Sequence, residues 1–178
     1  MANKIKKWEE LSREIVFQKY SRKIEKVVFR MPDGKENEFY IKKEGPSVGI
    51  LALTKNNEAI LVKQFRPGPN EILNELPGGY VDKDETPEQA AERELLEETG
   101  YRGKATLVTE AFDCAYSTMR RYCVVVTECE KVTEQKLDQT EFMEVILSSL
   151  EDFKIMLRTG KNTDIEIGFL GLDYLKLL

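Results

Sequence analysis

Three glutamates in the middle of the sequence have a spacing that could hold a metal ion. If the chain around them is helical, Glu94, Glu97 and Glu98 fall within an arc of roughly 100°. Carboxylates this close repel one another unless a cation neutralises them, and a site with oxygen ligands alone favours Mg²⁺ or Mn²⁺. For three acids on a helix considered alone, a solvated acidic surface is the favoured interpretation. The surrounding residues must therefore decide between a metal site and a solvated acidic surface.

The acidity of the chain is concentrated around these glutamates. The formal net charge is −5, and the segment from Asp82 to Glu98 alone contains eight acidic and two basic residues. The rest of the chain is therefore close to neutral. A local concentration of acid indicates a cation site, and the overall balance argues against a general nucleic-acid binder.

Several other classes of protein are excluded by composition. No apolar run has the length of a membrane span, and the N-terminus has no apolar signal-peptide core, so we expect no membrane partner. There is no histidine, and Cys114, Cys123 and Cys129 lack metal-type spacing, which argues against zinc. We expect reduced thiols and a cytoplasmic protein.

The glutamates lie on a helix predicted from about Pro87 to Thr99. Thr86 is the N-cap candidate, Gln89 completes a capping box with it, and Gly100 stands where a glycine commonly ends a helix. We expect the acids to point away from the core-facing stripe, which comprises Ala91, Leu95, Thr99 and the neighbouring Leu96.

The stretch from Gly79 to Tyr101 resembles the Nudix box. All seven invariant letters of that family pattern match at the family's spacing, namely Gly79, Glu85, Arg93, Glu94, Glu97, Glu98 and Gly100. The resemblance implies a Mg²⁺-dependent hydrolase, with Mn²⁺ as an alternative ion, that uses water to cut a diphosphate linkage in a nucleotide derivative.

Residue roles follow by position from this resemblance. The carbonyl of Gly78 and the carboxylates of Glu94, Glu97 and Glu98 would be metal ligands, and Glu85 an indirect or occasional one. Glu97 and Glu98 would thereby be catalytic. Arg93, inside the acidic cluster, is interpreted as structural, pairing with Glu85 or Glu97.

Upstream segments look like those of the ADP-ribose and nucleoside-diphosphate-sugar pyrophosphatases. The two segments are Leu61–Pro67 and Glu75–Gly79. By position Arg66 would contact substrate phosphate or ribose, although an arginine capping a strand fits equally. Glu75 is a second substrate-binding candidate. Ser117 stands where ADP-ribose enzymes usually carry proline, so the substrate is left open between ADP-ribose and another nucleotide sugar.

Two further site residues come from loops beyond the box. Arg120, next to Arg121, could bind a phosphate or terminal sugar, or could be solvated at the start of a strand. Related enzymes take a catalytic base from a loop that corresponds here to Thr133–Glu141. Glu141 is the first choice and Glu134 the second.

The remaining pattern predicts an α+β fold, a mixed sheet flanked by helices, with a small N-terminal antiparallel sheet. The resemblance implies that the main sheet and its helices form the α/β/α sandwich of the Nudix family. The first 45 residues, with a hairpin turn at Met31–Lys35, form that small sheet, and residues 46–178 the hydrolase domain. Buried strands are predicted at 48–53 and 59–65 and later strands near 104–110, 122–127 and 142–147; helices are predicted near 149–157 and from 164 onward. In the resembled subfamily the small domain is exchanged across a homodimer, so we expect a homodimer whose N-terminal region contacts the partner.

Two alternative functions remain. One is a housecleaning hydrolase of nucleoside triphosphates or dinucleoside polyphosphates, against which the segment Gln64–Arg66 and the extra N-terminal strands argue. The other is a catalytically inactive Nudix domain that senses a ligand. Such domains generally lose box glutamates, and all are present here. The expected partner in the main hypothesis is a small nucleotide diphosphate.

Overall fold

The computed structural model describes residues 5–178, so the first four residues of the predicted N-terminal region lie outside the described part. The chain divides into two compact units. One contains the described residues up to Gly45 together with Phe112–Arg120, and the other contains Pro46–Ala111 and Arg121–Leu178. The segment Phe112–Arg120 thus groups with the N-terminal strands, although it lies far along the chain.

The first unit is built on an antiparallel sheet of three strands, in agreement with the small sheet predicted. Its strands, in the order β1-β2-β3, are β1 (Glu9–Lys19), β2 (Arg22–Arg30) and β3 (Glu36–Lys42). The predicted hairpin turn joins β2 to β3. There the amide of Met31 donates to the carbonyl of Lys35 at 2.8 Å, and Gly34 has a φ of 86°, which glycine adopts without strain. The rings of Trp8, Phe29 and Phe39 pack together on this sheet.

The second unit contains a mixed sheet of seven strands. Strand β4 lies at its centre and pairs parallel with β9, whereas β5 pairs antiparallel with β10, β4 and β6. The order along the sheet is β10-β5-β4-β9-β8, with β6 beside β5 and β7 beside β4. The strands are β4 (Ser47–Thr54), β5 (Ala59–Arg66), β6 (Glu71–Glu75), β7 (Gly78–Tyr80), β8 (Tyr101–Phe112), β9 (Arg120–Lys131) and β10 (Met143–Ser148).

Helices cover both faces of this sheet, which confirms the predicted fold class. They are α1 (Pro87–Thr99), α2 (Leu150–Thr159) and α3 (Ile165–Tyr174). Alternate residues of β4 face opposite layers, as a period of two requires. Leu51 belongs to the core shared with α2 and α3, and Ile50 to the core shared with α1. Within residues 5–178 no helix combines the length and apolarity needed to cross a bilayer.

The predicted strands and helices all occur, whereas two short strands were not foreseen. These are β6 and β7, which flank Leu76-Pro77 and pair with β5 and β4. A strand of three residues such as β7 has too few positions to display a period, and glycine, which occupies two of its three positions, is depleted in strands. Strand β6 runs beside β5, and β7, which contains the first residue of the box, runs beside β4.

Candidate active site

Helix α1 presents the box glutamates, and its ends are fixed by the predicted caps. The hydroxyl of Thr86 accepts from the amide of Gln89, whose side chain accepts from the amide of Thr86. Gly100 adopts a φ of 75° at the C-terminus, and its amide donates to the carbonyl of Leu96. The helix therefore begins and ends where local sequence dictates, which sets the direction of its carboxylates.

Arg93 is the centre of the acidic cluster. Its Nε and Nη2 donate to both oxygens of Glu85 at 2.8 and 3.0 Å, and its Nη1 contacts Glu94 at 2.8 Å and Glu97 at 3.3 Å. The guanidinium also donates to the carbonyl of Tyr80. The predicted structural role of Arg93 is confirmed by these contacts, which tie the loop before α1 to the helix. Hydrogen bonds from Arg93 lower the pKa of Glu85.

Glu98 does not point away from the core, as the sequence had suggested for all the acids. Only 6% of the residue is exposed, and its Oε2 accepts from the amide of Gly78 at 2.9 Å. Burial raises the pKa of Glu98 to about 8, and the charges of Glu94 and Glu141 act in the same direction. The expectation was wrong here because β7, which was not foreseen, runs beside this face of α1 and excludes water from it.

Glu94 lies against Gly79, the first residue of the box. A Cβ atom on Gly79 would stand 2.2 Å from its Oε1, so no other residue fits at that position without displacing the carboxylate. Burial also raises the pKa of Glu94. The predicted ligands Gly78, Glu94 and Glu98 are thus neighbours, whereas Glu97 is more exposed and reaches Arg93.

The chemistry of this cluster fits a divalent cation. Burial raises the pKa of both Glu94 and Glu98, and the charge of Glu94 raises the pKa of Glu98 further, so a cation would stabilise both charged forms. The donor atoms are oxygens, as hard cations require. Among residues 5–178 no three acidic side chains already converge as ligands of one ion. An ion would therefore share Glu94 and Glu97 with Arg93.

The loop after β9 is anchored to the C-terminal end of α1. The amide of Lys136 donates to the carbonyl of Glu97 at 2.8 Å, and the side chain of Gln135 donates to the carbonyl of Glu98 at 2.6 Å. The amide of Thr133 donates to Gly100. Carbonyls in the last turn of a helix have no partner within the helix. This loop supplies hydrogen-bond donors to those carbonyls, and the same hydrogen bonds hold the loop against the box.

Glu141, at the end of that loop, stands in the electrostatic field of the cluster. Its charge raises the pKa of both Glu94 and Glu98, after burial as the larger cause. It also lines an open cleft of about 470 Å³ together with Gln64 and Phe65. By contrast Glu134 pairs with Lys131 at 3.0 Å on the surface, with 87% of its side chain exposed. The geometry favours Glu141 as the candidate base.

Arg66 is held by a buried carboxylate on the neighbouring strand. Its Nε donates to Oε2 of Glu75 at 2.6 Å, and Glu75 is fully buried, whereas 42% of the Arg66 side chain is exposed. The positive charge of Arg66 also lowers the pKa of Glu98 against the stronger effect of burial. Glu75 therefore orients Arg66 and has no exposed surface of its own for a substrate, while Arg66 stands beside the box.

The two adjacent arginines of the other predicted loop differ in their surroundings. Arg120 belongs to the first unit, where its guanidinium stacks over the ring of Phe112 at 4.0 Å from the centroid. Arg121 belongs to the second unit and pairs with Asp164 and Glu166. Arg121 is therefore structural, and a substrate contact of Arg120 stays a prediction.

Sequence reasoning missed two residues that join distant parts of the second unit. Gln135 bridges α1 and the start of β10 through the carbonyls of Glu98 and Met143. Thr163 donates to Glu75. Both lie in polar connecting segments without periodicity, and their partners are far away in sequence, so no local signal could have identified them.

Comparisons with known proteins identify the family. A family model described as the NUDIX domain matches residues 43–167. The chain is 35% identical over 150 residues to an ADP-ribose pyrophosphatase of Bacillus subtilis, covering 83% of this chain and 80% of that protein. It is 36% identical over 142 residues to an ADP-sugar pyrophosphatase of Mus musculus, covering 70% of this chain but only 65% of that protein.

A solved structure has the same fold. It is described as the crystal structure of an ADP compounds hydrolase, and it superposes with a TM-score of 0.83 over 98% of this chain and 97% of that chain, at 19% sequence identity. The fold, the intact box and the family match agree with one another. The chain belongs to the Nudix family of hydrolases, as its box predicted.

Proposed function

We propose that this protein hydrolyses the diphosphate linkage of ADP-ribose or a closely related nucleoside diphosphate sugar. Water adds to one phosphorus atom, and the bridging oxygen leaves with the other phosphate, so the products are a nucleoside monophosphate and a sugar phosphate. The observation that carries the proposal is the complete set of box glutamates, two of which are desolvated, together with Arg66 held beside them by Glu75.

We assign the cation as Mg²⁺, with Mn²⁺ as the alternative, and its ligands as Glu94, Glu97, Glu98 and the carbonyl of Gly78. Glu85 has an indirect role, because Arg93 engages both of its oxygens. The bound cation would neutralise the diphosphate and lower the pKa of the attacking water.

The protein's own residues would orient the substrate and move the proton. The outer nitrogens of Arg66, whose Nε is occupied by Glu75, suit bidentate contact with a phosphate or with ribose hydroxyls. Glu141, exposed on its loop and close to the box cluster, would accept the proton of the attacking water. Glu75 thus acts on the substrate indirectly, by orienting Arg66, and contact of Arg120 with a phosphate or terminal sugar remains a prediction from the sequence.

The nucleotide-sugar class is supported by the relatives whose names specify ADP-ribose or an ADP-sugar. The segment Gln64–Arg66 supports it as well, since Gln64 and Phe65 line the cleft that contains Glu141. An inactive ligand sensor is disfavoured, because the box glutamates are intact and two of them are desolvated next to Gly78.

A substrate panel tests this proposal. ADP-ribose, other sugar nucleotides, nucleoside triphosphates and dinucleoside polyphosphates are incubated with Mg²⁺ or Mn²⁺, and the products are separated by chromatography. We expect nucleoside monophosphate and sugar phosphate in equal amounts from a sugar nucleotide. Preferential cleavage of triphosphates, or inorganic phosphate as the primary product, would contradict the proposed reaction.

We also propose a cytoplasmic homodimer in which the first unit contacts the partner. Strand β1 is an edge strand whose apolar side chains Ile15, Val16 and Phe17 are each about half exposed, which is unusual for a surface left to water. The three cysteines are free, consistent with a reducing compartment. Light scattering at micromolar concentration tests the dimer, and a monomer there would refute it.

A further inference from the structure

A fully buried carboxylate connects Arg66 to the loop between α2 and α3. Glu75 accepts from Arg66 through Oε2 at 2.6 Å and from the hydroxyl of Thr163 through Oε1 at 2.5 Å. The two donors thus hold opposite oxygens of one side chain, and both bonds are charge-assisted and short. Such a carboxylate cannot turn without breaking one of them.

The hydroxyl of Thr163 has one hydrogen and two carboxylates within reach. Its second neighbour is Oδ2 of Asp164 at 3.0 Å, but Asp164 already has an ion pair with Arg121. Oε1 of Glu75 is the nearer acceptor and has no other hydrogen-bond donor among residues 5–178. The proton of Thr163 is therefore directed to Glu75.

The position of Thr163 is itself fixed from the start of β9. Arg121 donates to the carbonyl of Thr163 at 3.4 Å and to Oε1 of Glu166 at 2.5 Å, and it pairs with Asp164. The amide of Asp164 donates to the side chain of Asn162. The loop therefore offers Glu75 a hydroxyl held in place from two sides, instead of a mobile surface group.

We propose that Thr163 is a positioning residue for substrate binding, which acts through Glu75 on the orientation of Arg66. The inference rests on the proposed function for the ligand of Arg66, a diphosphate or ribose group. Without the hydroxyl, Oε1 of Glu75 is buried and unsatisfied, and the carboxylate gains by turning toward the exposed nitrogens of Arg66. Those nitrogens are then no longer presented to the substrate.

Steady-state kinetics on Thr163→Val, which removes the hydroxyl while keeping the shape, test this proposal. We expect KM for the sugar nucleotide to rise about tenfold, with kcat changed much less, and Thr163→Ser to restore the wild-type KM. Thr159→Val, at the nearby end of α2, is the matched control and should leave KM unchanged. In an Arg66→Ala background, Thr163→Val should raise KM no further. An equal rise in that background would overturn the proposal.

A second readout is independent of catalysis. In ¹⁵N-labelled protein without substrate, the Nε–H resonance of Arg66, assigned by its loss in Arg66→Lys, should shift in Thr163→Val and return in Thr163→Ser. An unchanged resonance in Thr163→Val would refute the link from Thr163 to Arg66. A shifted resonance in a protein that cleaves no sugar nucleotide would refute the proposed function and leave the link supported.

Discussion

The two halves of the candidate site are assembled in different ways. The box cluster is encoded within a short stretch, Gly79–Gly100, whose helix has both of its caps and whose carboxylates are organised by Arg93 from the same helix. Arg66, Glu75, Thr163 and Glu141, by contrast, come from β5, β6 and two separate loops. These residues become neighbours only through the fold of the whole unit.

The two halves therefore have different roles in the proposed site: the local motif supplies the charged groups, and the distant elements position the residues around them. A compact motif supplies the charged groups that the proposed cation requires, and Arg93 organises three of them through contacts within that motif. The distant elements supply the orientation of one arginine and one loop acid. Each depends on a few contacts, such as Thr163 to Glu75 and Gln135 to the carbonyl of Glu98. We therefore expect substitutions of the proposed cation ligands to have the largest effect on turnover, and substitutions of the distant residues to alter turnover or KM by smaller factors.

The largest effect is expected for Glu98→Gln and Glu97→Gln. Each removes one charge from the proposed cation site while nearly preserving shape, and loss of metal-based catalysis should lower turnover by about 10³-fold. The melting temperature without Mg²⁺ should hold steady, because burial raises the pKa of Glu98 to about 8, so its carboxyl is largely protonated without metal, and because the Glu97 side chain is 42% exposed. The wild-type protein should gain melting temperature on addition of Mg²⁺, because a ligand that binds only the folded state stabilises it, and this gain should shrink in both variants.

Glu92→Gln is the matched control, because Glu92 is an exposed acid on the same helix. It should keep both turnover and the Mg²⁺-dependent stabilisation. Full activity in Glu98→Gln with an unchanged Mg²⁺ effect would mean that the box cluster is an acidic surface and not a cation site.

A smaller effect is expected for Glu141→Gln. If Glu141 accepts the proton from water, kcat should fall by about 10²-fold or more, with little change in the Mg²⁺ dependence of the melting temperature. Glu134→Gln, on the same loop but paired with Lys131, should leave kcat unchanged. The reverse pattern would move the base to Glu134. Equal, small effects of both changes would place the base within the box.

The same division explains how much could be predicted from sequence. Helix α1, its caps and the contact of Arg93 with Glu85 follow from residues at most about two turns apart, where helical spacing and capping rules apply directly. The burial of Glu98 could not be predicted, because it depends on β7, a strand of three residues that is recognisable only by its pairing with β4. The bond between Thr163 and Glu75 joins residues 88 positions apart. Nothing in either neighbourhood marks them as partners.

The smallest effect concerns stability at the place where the two halves meet. Gly100 ends α1 at a φ of 75°, and a Cβ atom there would lie 2.1 Å from the carbonyl oxygen of Thr133, the first residue of the Glu141 loop. Gly160 ends α2 at a φ of 71°, but a Cβ atom there would meet nothing within 4 Å. Gly160→Ala should therefore cost only the left-handed backbone penalty, about 1 kcal/mol. Gly100→Ala should cost more than about 2 kcal/mol, because the loop must also move.

Urea denaturation of the two variants measures this difference in the free energy of unfolding directly. In addition, kcat should fall in Gly100→Ala alone, since only there is the loop of Glu141 displaced. Equal losses of stability with unchanged kcat would show that the loop is not held against the box by this contact, and that the two halves of the site are independent at their junction.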